Sequence, residues 1–119
     1  MQIPKPTETD KEYFRSIVPD HPHVEIKPMF GNVAAFVNGN MFMGLFGSDV
    51  GVRLTENDRS SLLDVEGAGP FGPEERPMGE YVALPHGWRD DTERTADWCQ
   101  RALEHVAALP PKQKKPKKK

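Results

Sequence analysis

The segment 29–54, which reads MFGNVAAFVNGNMFMGLFGSDVGVRL, restricts the possible folds of this chain more than any other segment. It consists almost entirely of apolar residues and turn residues, and it contains no obvious catalytic side chain. Asn38-Gly39 in its middle is a strong hairpin signal, because both central residues of a type I′ turn need a positive φ angle. This hairpin joins predicted strands at 33–37 and 41–46, and Gly47-Ser48-Asp49 leads into a third at 50–54. The segment therefore predicts an antiparallel sheet with tight turns.

The flanking segments predict three helices and two further strands. Thr9 and Glu12 have the spacing of a capping box at the start of the first helix, which Pro19 ends. Pro28 marks a strand at 24–29 as an edge strand or a bend. The remaining elements are a helix at 56–64, a Gly/Pro-rich loop at 67–79, a strand at 81–84 and a helix at 91–108. The order α-ββββ-α-β-α predicts an α+β fold of two layers, a five-stranded antiparallel sheet with three helices mostly on one face.

The charge of the chain is divided unevenly. The formal net charge is −2, but residues 112–119 hold six lysines and no acid: Lys112, Lys114, Lys115, Lys117, Lys118 and Lys119. Without them, ten basic residues face eighteen acidic ones, a net charge of −8. We therefore expect one domain at 1–111, too acidic for a broad nucleic-acid footprint, and a disordered lysine-rich tail at 112–119. The tail either keeps the protein soluble or acts as a basic arm with weak affinity for nucleic acid or an acidic protein.

The same composition gives an expectation about location. A single cysteine, Cys99, excludes an internal disulfide and suits a reducing compartment. No apolar run approaches the length of a membrane span, and the N-terminus lacks the basic and apolar regions of a signal peptide. We expect a cytoplasmic protein with no membrane contact and no cofactor.

Six short blocks resemble the N-terminal domain of the TfoX/Sxy family, bacterial regulators linked to natural competence. In order, the blocks are Met29-Phe30-Gly31, the hairpin Val37-Asn38-Gly39-x-Met41-Phe42, Val52-Arg53-Leu54, Gly69-Pro70-Phe71, Arg76-Pro77-Met78-x-Glu80-Tyr81-Val82 and Leu109-Pro110-x-Lys112. The resemblance implies the fold of that domain, which is similar in shape to type III secretion chaperones, and it implies no known reaction or cofactor. The longer regulators add a C-terminal helical domain that is not found within these residues, so the resemblance by itself does not imply a direct transcriptional role.

Both alternating sets of side chains in the predicted central strands are apolar. Along 41–46 one set is Met41, Met43 and Leu45, and the other is Phe42, Gly44 and Phe46. A sheet with one wet face would show polar residues at every second position, so both faces need cover. The cover comes either from the 67–79 loop and the helices, or from a second subunit or a partner protein. Phe42 and Phe46 are therefore candidate interaction residues, and a homodimer is one possibility.

Two further side chains are candidates for interaction. Arg53 lies within an otherwise apolar strand and could anchor a carboxylate or phosphate, although pairing with an acid such as Glu80 or Asp58 is the favoured interpretation. Trp88 precedes the last helix, where it is either an exposed interface anchor or a staple that holds the helix entry.

The motifs that could indicate catalysis or metal binding lack the context that these functions require. The glycine-rich stretch 67–72 matches a dinucleotide fingerprint, but it follows a helix and contains a proline. His21 and His23 have no second ligand cluster. Cys99 lies on an apolar stripe with Ala96, Leu103 and Val106, whereas His105, six positions later, lies on another face of the helix. Cys99 therefore has no base beside it, and no nucleophile is predicted.

The sequence thus predicts a non-enzymatic regulatory or adaptor domain that acts through protein–protein contacts with an unidentified partner. The alternatives are a nucleic-acid-binding accessory protein that uses the lysine tail, and an uncharacterised enzyme that uses Arg53 and the 67–79 loop. A basic cleft with Arg53, Arg59 and Arg76 would favour the first alternative, and a deep pocket with a perturbed acid would favour the second.

Overall fold

The computed structural model describes residues 5–29, 32–72 and 78–110. The elements are α1 (Glu8–Ile17), β1 (Val24–Met29), β2 (Asn32–Val37), β3 (Asn40–Phe46), β4 (Asp49–Arg53), α2 (Glu56–Leu63), β5 (Gly69–Pro70), β6 (Tyr81–Ala83), a 3₁₀ helix (His86–Asp90) and α3 (Thr92–Ala107). The predicted lysine tail at 112–119 lies outside the described residues. Among those residues, no helix is long and apolar enough to cross a membrane.

The strands form one antiparallel sheet in the order β1-β2-β3-β4-β6-β5. Asn38 and Gly39 form the tip between β2 and β3 with φ angles of 54° and 84°, as the hairpin signal predicts. The α+β fold with three helices and a single antiparallel sheet is confirmed. The sheet has one more strand than predicted, because Gly69–Pro70 within the expected loop pairs with β6. Two residues of this composition carry no strand signal in the sequence.

The helices cover one face of the sheet. The long helix α3 packs across β2, β3 and β4, while α1 lies against α3 and α2 lies beside β6. Between α3 and the sheet is the main core, whose largest fully buried side chains include Phe14, Phe42, Met43, Leu54 and Leu62. The side of α3 that faces the sheet contains Cys99, Leu103 and Val106, as the apolar spacing predicts. Ala96, the fourth residue of the predicted stripe, is exposed, and Thr95 is buried in its place.

The start of α1 differs from the prediction by two residues. The N-cap is Thr7, whose hydroxyl accepts a hydrogen bond from the Asp10 N–H at 3.0 Å, while the Asp10 carboxylate accepts one from the Thr7 N–H at 3.0 Å. Thr9, the predicted cap, is an exposed residue of the first turn. Asp at the third helical position performs the role that the usual capping box gives to Glu, since its shorter side chain still reaches the N-cap amide.

A bulge in β3 changes which face Phe42 occupies. Ala35 pairs with Met43 and Phe36 pairs with Met41, so Phe42 is the additional residue between two pairs. Phe42 and Met43 are adjacent, yet both are fully buried in the core beneath the helices. The strict alternation assumed for 41–46 places Phe42 on the same side as Phe46. The bulge separates the two side chains instead.

Candidate interaction surface

The sheet face without helices carries apolar side chains where a solvated face would carry polar ones. We call this surface the open face, and define it by five residues: Phe36, Met41, Phe46, Phe71 and Tyr81. Phe71 is buried, and the other four side chains are half-buried. Phe36 belongs to β2, Met41 and Phe46 to β3, and Tyr81 to β6. The five side chains thus span the middle strands of the sheet.

Phe71 lies at the centre of the open face, directly on a glycine. Gly44 and Gly51 are paired across β3 and β4, and a Cβ atom at Gly51 would overlap the carbons of the Phe71 ring. The ring can therefore lie directly on the backbone, which leaves Phe71 only 2% exposed. The ring centroids of Phe46 and Tyr81 are 6.2 and 5.9 Å from that of Phe71. Part of the predicted loop thus covers the centre of this face, and a half-buried aromatic rim surrounds it.

Arg53 lies at the border of the open face and is paired there. Its Nε donates to Glu80 Oε1 at 2.8 Å, and its side chain is 24% exposed. Arg53 pairs with Tyr81 across β4 and β6, and the Tyr81 hydroxyl donates to the Met41 carbonyl at 3.1 Å. Burial raises the pKa of Tyr81 to about 12, so the hydroxyl stays a donor at neutral pH. Arg53 therefore has the carboxylate partner that the sequence favoured.

Two of the four candidate interaction residues lie in the core instead. Phe42 is fully buried under the helices, and Trp88 is 8% exposed within the 3₁₀ helix. The Trp88 carbonyl accepts a hydrogen bond from the buried Thr95 hydroxyl at 2.9 Å, and the Arg94 guanidinium lies 5.2 Å from the Trp88 ring centroid. These contacts fix the entry to α3. The structure thus brings Phe46 and Arg53 to the open face but not Phe42 or Trp88.

Three strand residues of this surface are not among the interaction candidates predicted from the sequence: Phe36, Met41 and Tyr81. The available signal was that β2 and β6 also carry apolar residues at alternate positions. Once Phe46 is assigned to a face, the strand pairing identifies the other strand residues on that face. Phe36 lies opposite Met41, and Tyr81 lies opposite Arg53.

Five of the six described arginines, all except Arg15, lie against acceptors of the domain itself. Arg89 contacts Asp10 at 3.1 Å and lies 4.7 Å from the Tyr13 ring centroid, while Arg59 donates to the Leu54 carbonyl at 2.8 Å. Arg53 and Arg59 face different acceptors, so they do not form the basic cleft with Arg76 that would favour a nucleic-acid ligand. Arg76 lies outside the described residues.

A polar groove of about 510 Å³ separates α2 from α3. Its walls carry Asp58, Asp97 and Glu104, and Arg101 lies among them with contacts of 3.3 Å to Asp58 and 3.2 Å to Asp97. The cation thus offsets part of the acidic charge of the groove. This groove lacks the apolar character of the open face.

The remaining titratable candidates stand apart from these surfaces. Cys99 is fully buried on α3, where desolvation raises the pKa of its thiol to about 12. His21 and His23 are neighbours in the turn before β1, with ring centroids 5.6 Å apart. In the described part of the chain, no three His, Cys, Asp or Glu side chains are grouped as a metal site would require. His86 is on the surface, where its Nε2 lies 2.6 Å from Asp49 Oδ1.

The fold and its surfaces define a class: a small α+β domain with helices on one face of an antiparallel sheet and an aromatic surface on the other. The family model of the TfoX N-terminal domain matches residues 16–106, from the second half of α1 to the last turn of α3. The chain belongs to this family. A search of the curated proteins found no match.

Proposed function

We propose that this protein is a non-enzymatic regulatory or adaptor domain of the bacterial cytoplasm that acts through protein–protein contacts. Its membership of the TfoX N-terminal domain family supports this proposal. The proposal rests on the composition of the open face. Around the buried Phe71 ring, the side chains that remain half-buried are those of Phe36, Met41, Phe46 and Tyr81. Aromatic and methionine side chains are enriched at protein interfaces, where their apolar area contributes binding energy at a low cost in conformational entropy.

The distribution of charge supports a protein partner over a nucleic acid. Arg53, Arg89 and Arg101 each lie against a carboxylate of the domain. Guanidinium groups engaged in this way are less available for phosphates, whereas nucleic-acid interfaces need a row of free cations. At the border of the open face, by contrast, Arg53 and Glu80 form an ion pair. Polar residues that surround an apolar centre are typical of the rim of a protein interface.

The test is affinity capture from extracts of the native host with three baits: wild type, Phe46→Ser and Leu63→Ser. Phe46 lies on the open face, and Leu63 is a matched control because it is an exposed apolar residue of α2 with 49% of its surface accessible. We expect proteins captured by the wild type and by Leu63→Ser to be lost with Phe46→Ser. Melting curves of the three baits establish that each is folded.

Capture that is equal for Phe46→Ser and the wild type would contradict the proposal. A further bait that lacks residues 112–119 separates the alternative in which the lysines bind nucleic acid. If nuclease treatment eliminates the captured proteins, they are bound through nucleic acid. If only removal of this segment eliminates them, the lysines bind them directly. In either case the open face is not the contact surface.

A further inference from the structure

Strand β1 is an edge strand of the sheet. One contact shows which of its residues direct their backbone groups toward β2 and which direct them outward. The His23 carbonyl accepts a hydrogen bond from the Asn38 N–H at 3.4 Å, so residues 23 and 38 form a hydrogen-bonded pair. Because such pairs alternate along an antiparallel ladder, Glu25 and Lys27 direct their backbone groups toward β2. The backbone groups of Val24, Ile26 and Pro28 therefore point to the outer side, where β1 has no neighbouring strand among the described residues.

Ile26 is the residue of this edge that offers both a donor and an acceptor. The Val24 N–H already donates to the His21 carbonyl at 3.1 Å, and Pro28 has no N–H. The Ile26 side chain is 38% exposed, one of two large hydrophobic side chains described as exposed. A pairing strand must therefore be centred on Ile26, and Pro28 keeps the ladder short.

The side chains beside Ile26 carry opposite charges. Glu25 and Lys27 both point to the sheet face opposite the helices, where Lys27 Nζ lies 3.3 Å from Glu25 Oε1 and 5.5 Å from the Phe36 ring centroid. Both charged side chains are largely exposed. They are thus available to a second strand at this edge.

We propose that β1 pairs antiparallel with β1 of a second copy of this chain, with Ile26 opposite the partner's Ile26. In this register the two Ile26 residues exchange reciprocal N–H to C=O hydrogen bonds. Glu25 is then opposite the partner's Lys27, and Lys27 is opposite the partner's Glu25, so the two-fold axis generates two cross-strand ion pairs. The edge is complementary to itself in charge and in hydrogen-bonding groups.

The surroundings of β1 leave space for this arrangement. A groove of about 360 Å³ runs beside the strand. Its apolar part is formed by Val18, Pro19, Val24 and Ile26, and its polar part by Arg15, Asp20 and His21. The partner's Ile26 side chain lies beside the apolar part. Lysine and proline at an edge generally discourage pairing with other strands. Here, however, the order Glu-Ile-Lys is complementary in charge to a second copy of itself that runs antiparallel. Only a short ladder forms, and the dimer is weak and reversible.

The experiment compares self-association of the wild type, Glu25→Lys and Lys27→Glu by sedimentation at high protein concentration and low ionic strength. In a dimer of Glu25→Lys, a lysine faces a lysine at both cross-strand pairs. In a dimer of Lys27→Glu, a glutamate faces a glutamate at both pairs. Each variant alone should associate at least about tenfold more weakly than the wild type. An equimolar mixture of the two variants should associate again, because the mixed dimer has opposite charges at every pair. The double variant, with both charges exchanged, should also dimerise.

The control is Glu66→Lys, which makes the same change of charge at an exposed position before β5, at the other end of the sheet. It should self-associate as the wild type does, and its heterodimer with Lys27→Glu should be weaker than that of Glu25→Lys with Lys27→Glu, because one of its two cross-strand pairs carries like charges. A wild type that stays monomeric at every concentration would overturn the proposal. So would single variants that associate as well as the wild type, or a mixture that gains nothing.

Discussion

Gly51 determines where Phe71 lies. Gly51 is buried and paired with Gly44 in the adjacent strand, and the Phe71 ring occupies the space that a side chain at Gly51 would need, whereas a Cβ atom at Gly44 would overlap the end of the Met41 side chain. Glycine within a strand normally weakens it, so the glycine at position 51 is explained by the close approach of the aromatic ring. This contact attaches the segment around β5 to the sheet and gives the open face its centre.

The first prediction is that Gly51→Ala destabilises the protein. The added methyl group would overlap the Phe71 ring, and the overpacking should lower the free energy of unfolding by about 1–3 kcal/mol, measured by urea denaturation. The matched control is Gly87→Ala in the 3₁₀ helix, where a Cβ atom meets nothing within 4 Å. That variant should be as stable as the wild type. Equal stability of both variants would show that Phe71 does not rest on β4.

The second prediction concerns alkaline pH. Burial raises the pKa of Cys99 from 9.0 to about 12 and that of Tyr81 from 10.0 to about 12. Because the unfolded chain releases these protons at lower pH than the folded one, their contribution to stability is complete below pH 9 and is lost progressively as pH rises toward 12. Urea midpoints measured over this range should fall, and the fall should be smaller in a Cys99→Ala, Tyr81→Phe variant. An identical slope in that variant would contradict the assignment.

At the scale of elements, the sequence predicts those features that depend on local chemistry. The Asn38-Gly39 tip could be predicted because few other dipeptides adopt two successive positive φ angles. The bulge at Phe42 could not, since Phe42 and Met43 are both apolar and either face suits them until the pairing with β2 is known. The burial of Thr95 could not be predicted either. Its hydroxyl donates a hydrogen bond to the Trp88 carbonyl, and this contact forms only when the 3₁₀ helix packs against the start of α3.

The third prediction distinguishes the observed start of α1 from the one that the sequence favoured. Thr7→Ala removes the hydroxyl that accepts from the Asp10 N–H, and it should lower the free energy of unfolding by about 1 kcal/mol. Thr9→Ala replaces an exposed residue of the first helical turn and should leave stability unchanged or slightly higher. Thermal melting of the two variants compares them directly. A larger loss with Thr9→Ala would place the cap where the sequence placed it.

At the scale of the whole molecule, the two faces of the sheet are covered differently. The helical face holds the main core, including Phe42 and the buried thiol of Cys99. The opposite face is covered at its centre by Phe71 and retains a half-buried rim. The sequence indicated that both faces need cover, because both sets of side chains along β3 are apolar. It could not show which loop residue provides the cover, since this depends on contacts between segments far apart in the chain.

The central claim is that the open face is the surface through which this protein contacts its partner. The most direct measurement places the photo-crosslinking residue benzoylphenylalanine at position 46 or at position 63 and irradiates living host cells. We expect a discrete crosslinked protein with the probe in place of Phe46, which lies on the open face, and none with the probe in place of Leu63 on α2. Crosslinks formed equally at both positions, or only at position 63, would contradict the claim.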